Sequence, residues 1–130
     1  MACASKAKAT TIILFLAAVI CCQAQKDRPG ACNLSDLQVS VVKTGKVVEG
    51  QPEYRVTITN QCSCPQMSVR VRCDGLPSVK PVNEGMIRTE DGGLCLLNDG
   101  MPIPTGSPVV FTFAWKTAPD FQPTMAVPHC

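Results

Sequence analysis

Nine cysteines in 130 residues constrain this chain more than any other feature, and their placement matters more than their number. Cys3, Cys21 and Cys22 lie in or beside an apolar N-terminal stretch, while Cys32, Cys62, Cys64, Cys73, Cys95 and Cys130 are spread over the rest. If the first stretch is a leader that is removed, an odd count becomes six. An even set in a small exported chain reads as a disulfide framework. A domain of about 100 residues buries only somewhat over ~60% of its unfolded surface. Each cross-link would add on the order of 2–4 kcal/mol, so the fold is expected to depend on them.

Residues 1–24 have the three parts of a secretory signal peptide. Lys6 and Lys8 give the positive start, Ile12 to Ile20 the apolar middle, and Cys22-Gln23-Ala24 the small residues of a cleavage site. The apolar run falls short of the ~18–20 residues needed to span a bilayer, which argues against a membrane anchor. Residues 25–31, with Pro29 and Gly30, read as a flexible N-terminal lead, and residues 32–130 as one cysteine-rich domain. The expected product is secreted to the extracellular space and makes no membrane insertion after cleavage. Cleavage would remove Lys6 and Lys8 from twelve cations, leaving ten against ten acids, a net charge of zero. That balance argues against nucleic acid or an anionic membrane as the main partner.

Cys62-Ser63-Cys64 limits the pairing, because cysteines one residue apart seldom bond to each other. Excluding that pair leaves roughly 12 of the 15 pairings open to six cysteines, and the sequence does not choose among them. A zinc site is the rival reading of this motif, since thiolates bind zinc well. The spacing is not that of a zinc ribbon and an oxidising compartment favours disulfides, so no metal or other cofactor is expected.

Downstream of the lead, apolar residues alternate with period two, the mark of strands with one buried face. Leu37, Val39 and Val41 form one such set, Tyr54, Val56 and Ile58 a second, and Met67, Val69 and Val71 a third. Val109, Phe111, Phe113 and Trp115 form a fourth, and Thr124 to Val127 a last short segment. Val82–Thr89 and Leu94–Leu97 read as edge pieces. Thr44-Gly45, Glu49-Gly50-Gln51-Pro52, Asp74-Gly75, Asp91-Gly92-Gly93, Asn98-Asp99-Gly100 and Thr105-Gly106-Ser107-Pro108 are turn signals between runs. An all-β fold follows: a small, disulfide-stapled antiparallel β-sandwich in which two sheets share one thin core.

Catalytic constellations are missing from the sequence, so no catalytic residue is assigned and an enzyme is not expected. The single histidine, His129, stands beside the last cysteine and reads as a surface or packing residue. There is no nucleophile elbow, no phosphate-cradling loop, and no acidic pair outside turn-like segments. Phe111, Phe113 and Trp115 share one strand face and read as core. Were they exposed, they would form a sugar-stacking platform. Arg55, Arg70 and Arg72 fall on the polar sides of their strands and Arg88 lies nearby in sequence, which makes these four the candidate partner-binding residues. Arginine is enriched at interfaces because its planar fork pairs with carboxylates and stacks on aromatic rings. Asn33-Leu34-Ser35 is an N-glycosylation acceptor, so Asn33 is the candidate glycosylation site.

Several segments together resemble the tapetum determinant family of plants. They are Cys32 with Asp36-Leu37-Gln38-Val39, the run Pro52 to Cys62, Val69-Arg70-Val71-Arg72-Cys73, Leu94-Cys95-Leu96-Leu97-Asn98-Asp99-Gly100, and Cys130. The resemblance implies a small secreted cysteine-rich protein. It further implies a ligand for a leucine-rich-repeat receptor kinase ectodomain, acting in cell-fate specification in the anther. The expected form is a monomer. The alternative is an extracellular, cell-wall carbohydrate-binding module without catalysis, which would need an exposed aromatic row. A third, weaker option is a defence protein acting as an inhibitor or antimicrobial, and zero net charge speaks against membrane attack.

Overall fold

The computed structural model describes residues 32–130. The leader assigned to residues 1–24 and the lead assigned to 25–31 lie outside the described residues. Seven strands follow in order: β1 (Leu37–Val48), β2 (Gln51–Asn60), β3 (Gln66–Arg72), β4 (Ile87–Thr89), β5 (Leu94–Leu97), β6 (Val109–Ala114) and β7 (Pro123–Pro128). They make two antiparallel sheets, one ordered β1-β2-β6 and the other β4-β5-β3-β7. The inner faces of both sheets enter one core. Val56, Ile58, Phe111 and Phe113 come from the first sheet, and Val69, Val71, Ile87 and Leu97 from the second. Each side chain of this size contributes ~1.5–3 kcal/mol when fully buried.

The expected alternation holds where one strand face is buried. It breaks at two places, each with a local cause. Thr44-Gly45 reads as a turn in the sequence, but β1 runs through it to Val48, and the register slips between Lys43 and Val47. Gly45 sits at φ 94° and absorbs that irregularity as a bulge rather than a chain reversal. The reversal comes at Glu49-Gly50, with φ of 49° and 81°, flanked by the Val48–Gln51 pair. Positive φ at both central residues is the type I′ hairpin turn, whose twist matches that of its strands. The second break is in β3. Ser68 adopts φ 53° where the β3–β7 register slips between Met67 and Arg70. The slip turns Gln66, 1% exposed, into the core in place of Met67, which is only partly buried.

Phe111 and Phe113 are core residues, with Trp115 packed partly buried at its margin, just beyond the end of β6. Phe121 packs edge-on against both phenylalanines at 5.6 Å, and Tyr54 stacks on Phe113 at 5.3 Å. Phe121 and Ile103 belong to connections rather than strands, yet both are fully buried.

Three disulfides close the framework: Cys32–Cys62, Cys64–Cys130 and Cys73–Cys95. The last links β5 to the residue following β3, and both of its cysteines are buried. Cys62 and Cys64 bond in different directions, one to the approach to β1 and the other to the residue beyond His129. Asn60 fixes the chain between them. Its fully buried amide donates to the carbonyls of Cys64 (2.9 Å) and Ile103 (2.8 Å). Its Oδ1 accepts from the Cys62 N–H (3.0 Å) and from Gln66 Nε2 (3.2 Å). A buried amide is tolerated only when its polar atoms are satisfied in this way.

Candidate partner-binding faces

The four candidate arginines do not form one patch. Arg55 stands on β2, whereas Arg70 and Arg72 stand on β3 and Arg88 on β4. Their neighbours in sequence alternate with them into the core, so Arg55 is on the outer face of the three-stranded sheet and the others are on the outer face of the four-stranded sheet. The structure therefore brings together three of the four.

On the four-stranded sheet, register lines up a row across the strands, of which Leu96 is buried. Met125 of β7 pairs with Arg70, Arg70 with Leu96 of β5, and Leu96 with Arg88 of β4. Acids from neighbouring turns hold the two arginines. Arg70 Nε donates to Glu90 Oε1 at 2.6 Å, and its Nη1 reaches the Ser68 carbonyl at 3.3 Å and the Met125 sulfur at 3.7 Å. Arg88 Nη1 donates to Asp99 Oδ1 at 2.6 Å. Arg72 is exposed and makes no ion pair among the described residues. Exposed ion pairs are worth at most ~1 kcal/mol of stability. Their effect here is to hold long side chains in place, which reduces the ordering cost of a contact. Met101, Met125 and Val127 are exposed at or near this face. Methionine and arginine are residue types enriched at interfaces.

Asp99 reaches Arg88 from an unusual stretch of backbone. Asn98, Asp99 and Gly100 are consecutively left-handed, with φ of 52°, 55° and 77°. Asn and Asp are the non-glycine residues that visit this region most readily. The Asn98 N–H bonds the Met86 carbonyl, and its side-chain amide bonds the Pro102 carbonyl, so the turn is tied to the edge of the sheet. The sequence marks this segment as a turn. Its role in placing a carboxylate against Arg88 is a result of folding.

The Asn33-Leu34-Ser35 triplet is exposed along its length, beside the Cys32–Cys62 bridge. His129 is exposed, and its backbone N–H bonds the Pro65 carbonyl. The sulfurs of Cys32, Cys64 and Cys130 lie within 4.8 Å of one another, but all three are oxidised in disulfides. A metal needs thiolates, so this cluster is not a ligand set. An open groove of about 280 Å³ lies between residues 76–84 and β4, lined by Leu76, Val82, Ile87, Lys80 and Arg88. Both of those cations are already paired, with Glu53 and Asp99. No helix among the described residues is long and apolar enough to cross a membrane.

Comparison with known proteins adds a family to this geometry. The family model described as Tapetum determinant 1, C-terminal, matches residues 33–130. TPD1 protein homolog 1 of Arabidopsis thaliana is 33% identical over 85 residues, covering 64% of this chain and 48% of its own. TPD1 protein homolog 1A of Oryza sativa subsp. japonica is 28% identical over 92 residues, covering 65% of this chain and 41% of its own. The matched region thus spans less than half the length of these relatives. No solved structure matches.

Proposed function

Because the chain belongs to the tapetum determinant family, we propose that it is a secreted signalling ligand, without catalysis, for a leucine-rich-repeat receptor kinase. In this reading it acts in cell-fate specification during anther or reproductive development. It leaves the cell through the leader at residues 1–24, carries a glycan on Asn33 and acts as a monomer. Three disulfides and an all-β fold suit an oxidising extracellular setting.

The observation that carries the reading is the row Met125–Arg70–Leu96–Arg88, with Arg72 beside it. It joins exposed Met125 to arginines already held by Glu90 and Asp99 across the buried Leu96, which favours a flat protein contact over a pocketed ligand. The test is binding of the oxidised domain to purified leucine-rich-repeat ectodomains by biolayer interferometry. Reversing charge with Arg72→Glu and Arg88→Glu should weaken binding at least ~tenfold, mainly in the off-rate if the contacts are desolvated. Arg55→Glu, on the other sheet, should leave receptor binding unchanged. Failure to bind any ectodomain, with all three disulfides verified, would overturn the proposal. A glycan module built on aromatic stacking finds less support, since Phe111 and Phe113 are 3% and 0% exposed.

A further inference from the structure

The outer face of the three-stranded sheet carries a surplus of positive charge that the balanced composition conceals. Across β1, β2 and β6 the single acid is Glu53, whereas Lys46 and Arg55 stand on the same strands; Lys43 pairs with Tyr54, which stacks on core Phe113, and so belongs to the opposite side of the sheet. Lys80 reaches this sheet from the β3–β4 connection. Its Nζ donates to Glu53 Oε2 at 2.7 Å and to Thr112 Oγ1 at 2.8 Å, while Thr44 Oγ1 donates to Glu53 Oε1 at 2.7 Å. The register sets Arg55 opposite Thr112 and next to Glu53 on the same strand face. Lys46 lies close enough to favour the ionised carboxylate. Lys80 and Lys46 thus act on one carboxylate that is 7% exposed and already engaged, and Arg55 stands two residues along the same strand with no ion pair among the described residues. Glu49, in the hairpin turn beyond Lys46, is the next acid along the chain.

Around these charges the face carries hydroxyls and amides together with two exposed valines, Val42 opposite Arg55 and Val110 opposite Thr57. Ser40 pairs with Thr57, which pairs with Val110, and Gln38 pairs with Thr59. We propose that this face binds an acidic polysaccharide, a chain of uronate sugars that presents a carboxylate and free hydroxyls at every unit. Arg55 and Lys46, both exposed, would take carboxylates, while Ser40, Thr57 and Gln38 would exchange hydrogen bonds with sugar hydroxyls. Charge complementarity favours this sheet over the other, where Arg70 and Arg88 are neutralised by Glu90 and Asp99 and only Arg72 is left without an ion pair among the described residues. An acidic polypeptide offers carboxylates without the hydroxyls that this face is built to meet. The proposal uses a different face from the receptor contact and does not depend on it.

The experiment is retention of the secreted, oxidised protein on immobilised polygalacturonate, with neutral galactan and polyglutamate columns beside it. Retention on polygalacturonate alone, lost as salt shortens the screening length well below ~10 Å, is the expected result. Lys46→Gln combined with Arg55→Gln should weaken the affinity roughly tenfold. Arg72→Gln combined with Arg88→Gln should change nothing. Should the first pair melt lower than the parent, Arg55→Lys against Arg55→Gln separates charge from packing: the lysine variant retains binding and the glutamine variant loses it. Undiminished retention of the Lys46/Arg55 variant would overturn the proposal. So would stronger retention on polyglutamate, which would assign the face to an acidic polypeptide.

Discussion

Glu53 illustrates what a buried charge does for a domain with little core to spare. Hydrogen bonds from Lys80 and then from Thr44 hold its carboxyl below the ordinary range, against the opposing push of burial. A depressed folded-state pKa contributes stability that is fully present above the unfolded value, about 4.3, and is lost as pH falls through the folded value. Glu53→Gln should therefore be less stable than the parent at neutral pH. The gap between the two should hold steady down to about pH 5 and close in more acid solution. Urea unfolding at a series of pH values measures it, and a gap independent of pH would show that Glu53 is not the titrating group. The same residue also helps secure the segment carrying Lys80 to the sheet: Lys80 donates to Glu53 of β2 and Thr112 of β6, and Ser78 Oγ accepts from the Ala114 N–H of β6.

Among the elements, the β1–β2 hairpin is the most open to improvement. Its type I′ turn puts Glu49 at φ 49°, a region where asparagine is far better tolerated than a longer side chain. Glu49→Asn should raise stability by several tenths to about 1 kcal/mol, read as a higher urea midpoint at unchanged slope. Strands with one buried face were legible in the sequence because burial imposes a period of two. The stripe Val56, Ile58 beside Phe111, Phe113 is the clearest case. Other features have no such signature. Glycine-containing pairs serve bulges and turns alike, so Thr44-Gly45 looks like a chain reversal when it is an irregularity within β1. A single left-handed residue, Ser68, exchanges Met67 for Gln66 in the core, and no local pattern announces it. Ile103 and Phe121 fill the core from connections, outside any periodicity. The separation of Arg55 from Arg70, Arg72 and Arg88 follows from strand order. β2 lies between β1 and β6 while β3 lies between β5 and β7, an arrangement that depends on long-range pairing.

At the scale of the whole molecule, the two outer sheet faces differ in how their charges are paired. Among the described residues, one holds Arg70 and Arg88 in ion pairs and leaves Arg72 without one, and the other leaves Lys46 and Arg55 in excess over a single engaged carboxylate, with exposed apolar side chains on both. The framework that keeps them apart depends on Cys62 and Cys64 choosing different partners. In the native pairing these two bridges have separations of 30 and 66 residues. Exchanging the two cysteines would give 64 − 32 = 32 and 130 − 62 = 68, nearly the same loops. Loop-closure entropy varies only as the logarithm of length, so it scarcely distinguishes the two isomers. With Cys32, Cys64 and Cys130 sulfurs within 4.8 Å, the exchange is also local. Asn60, which grips the Cys62 N–H and the Cys64 carbonyl at once, supplies the missing discrimination. Asn60→Ala should accumulate the Cys32–Cys64, Cys62–Cys130 isomer during oxidative refolding, while Cys73–Cys95 forms as before. A non-reducing peptide map reads both outcomes, and a purely native map for the variant would refute it. One amide would then act as the proofreader of oxidative assembly, deciding which of two almost equally spaced covalent products forms.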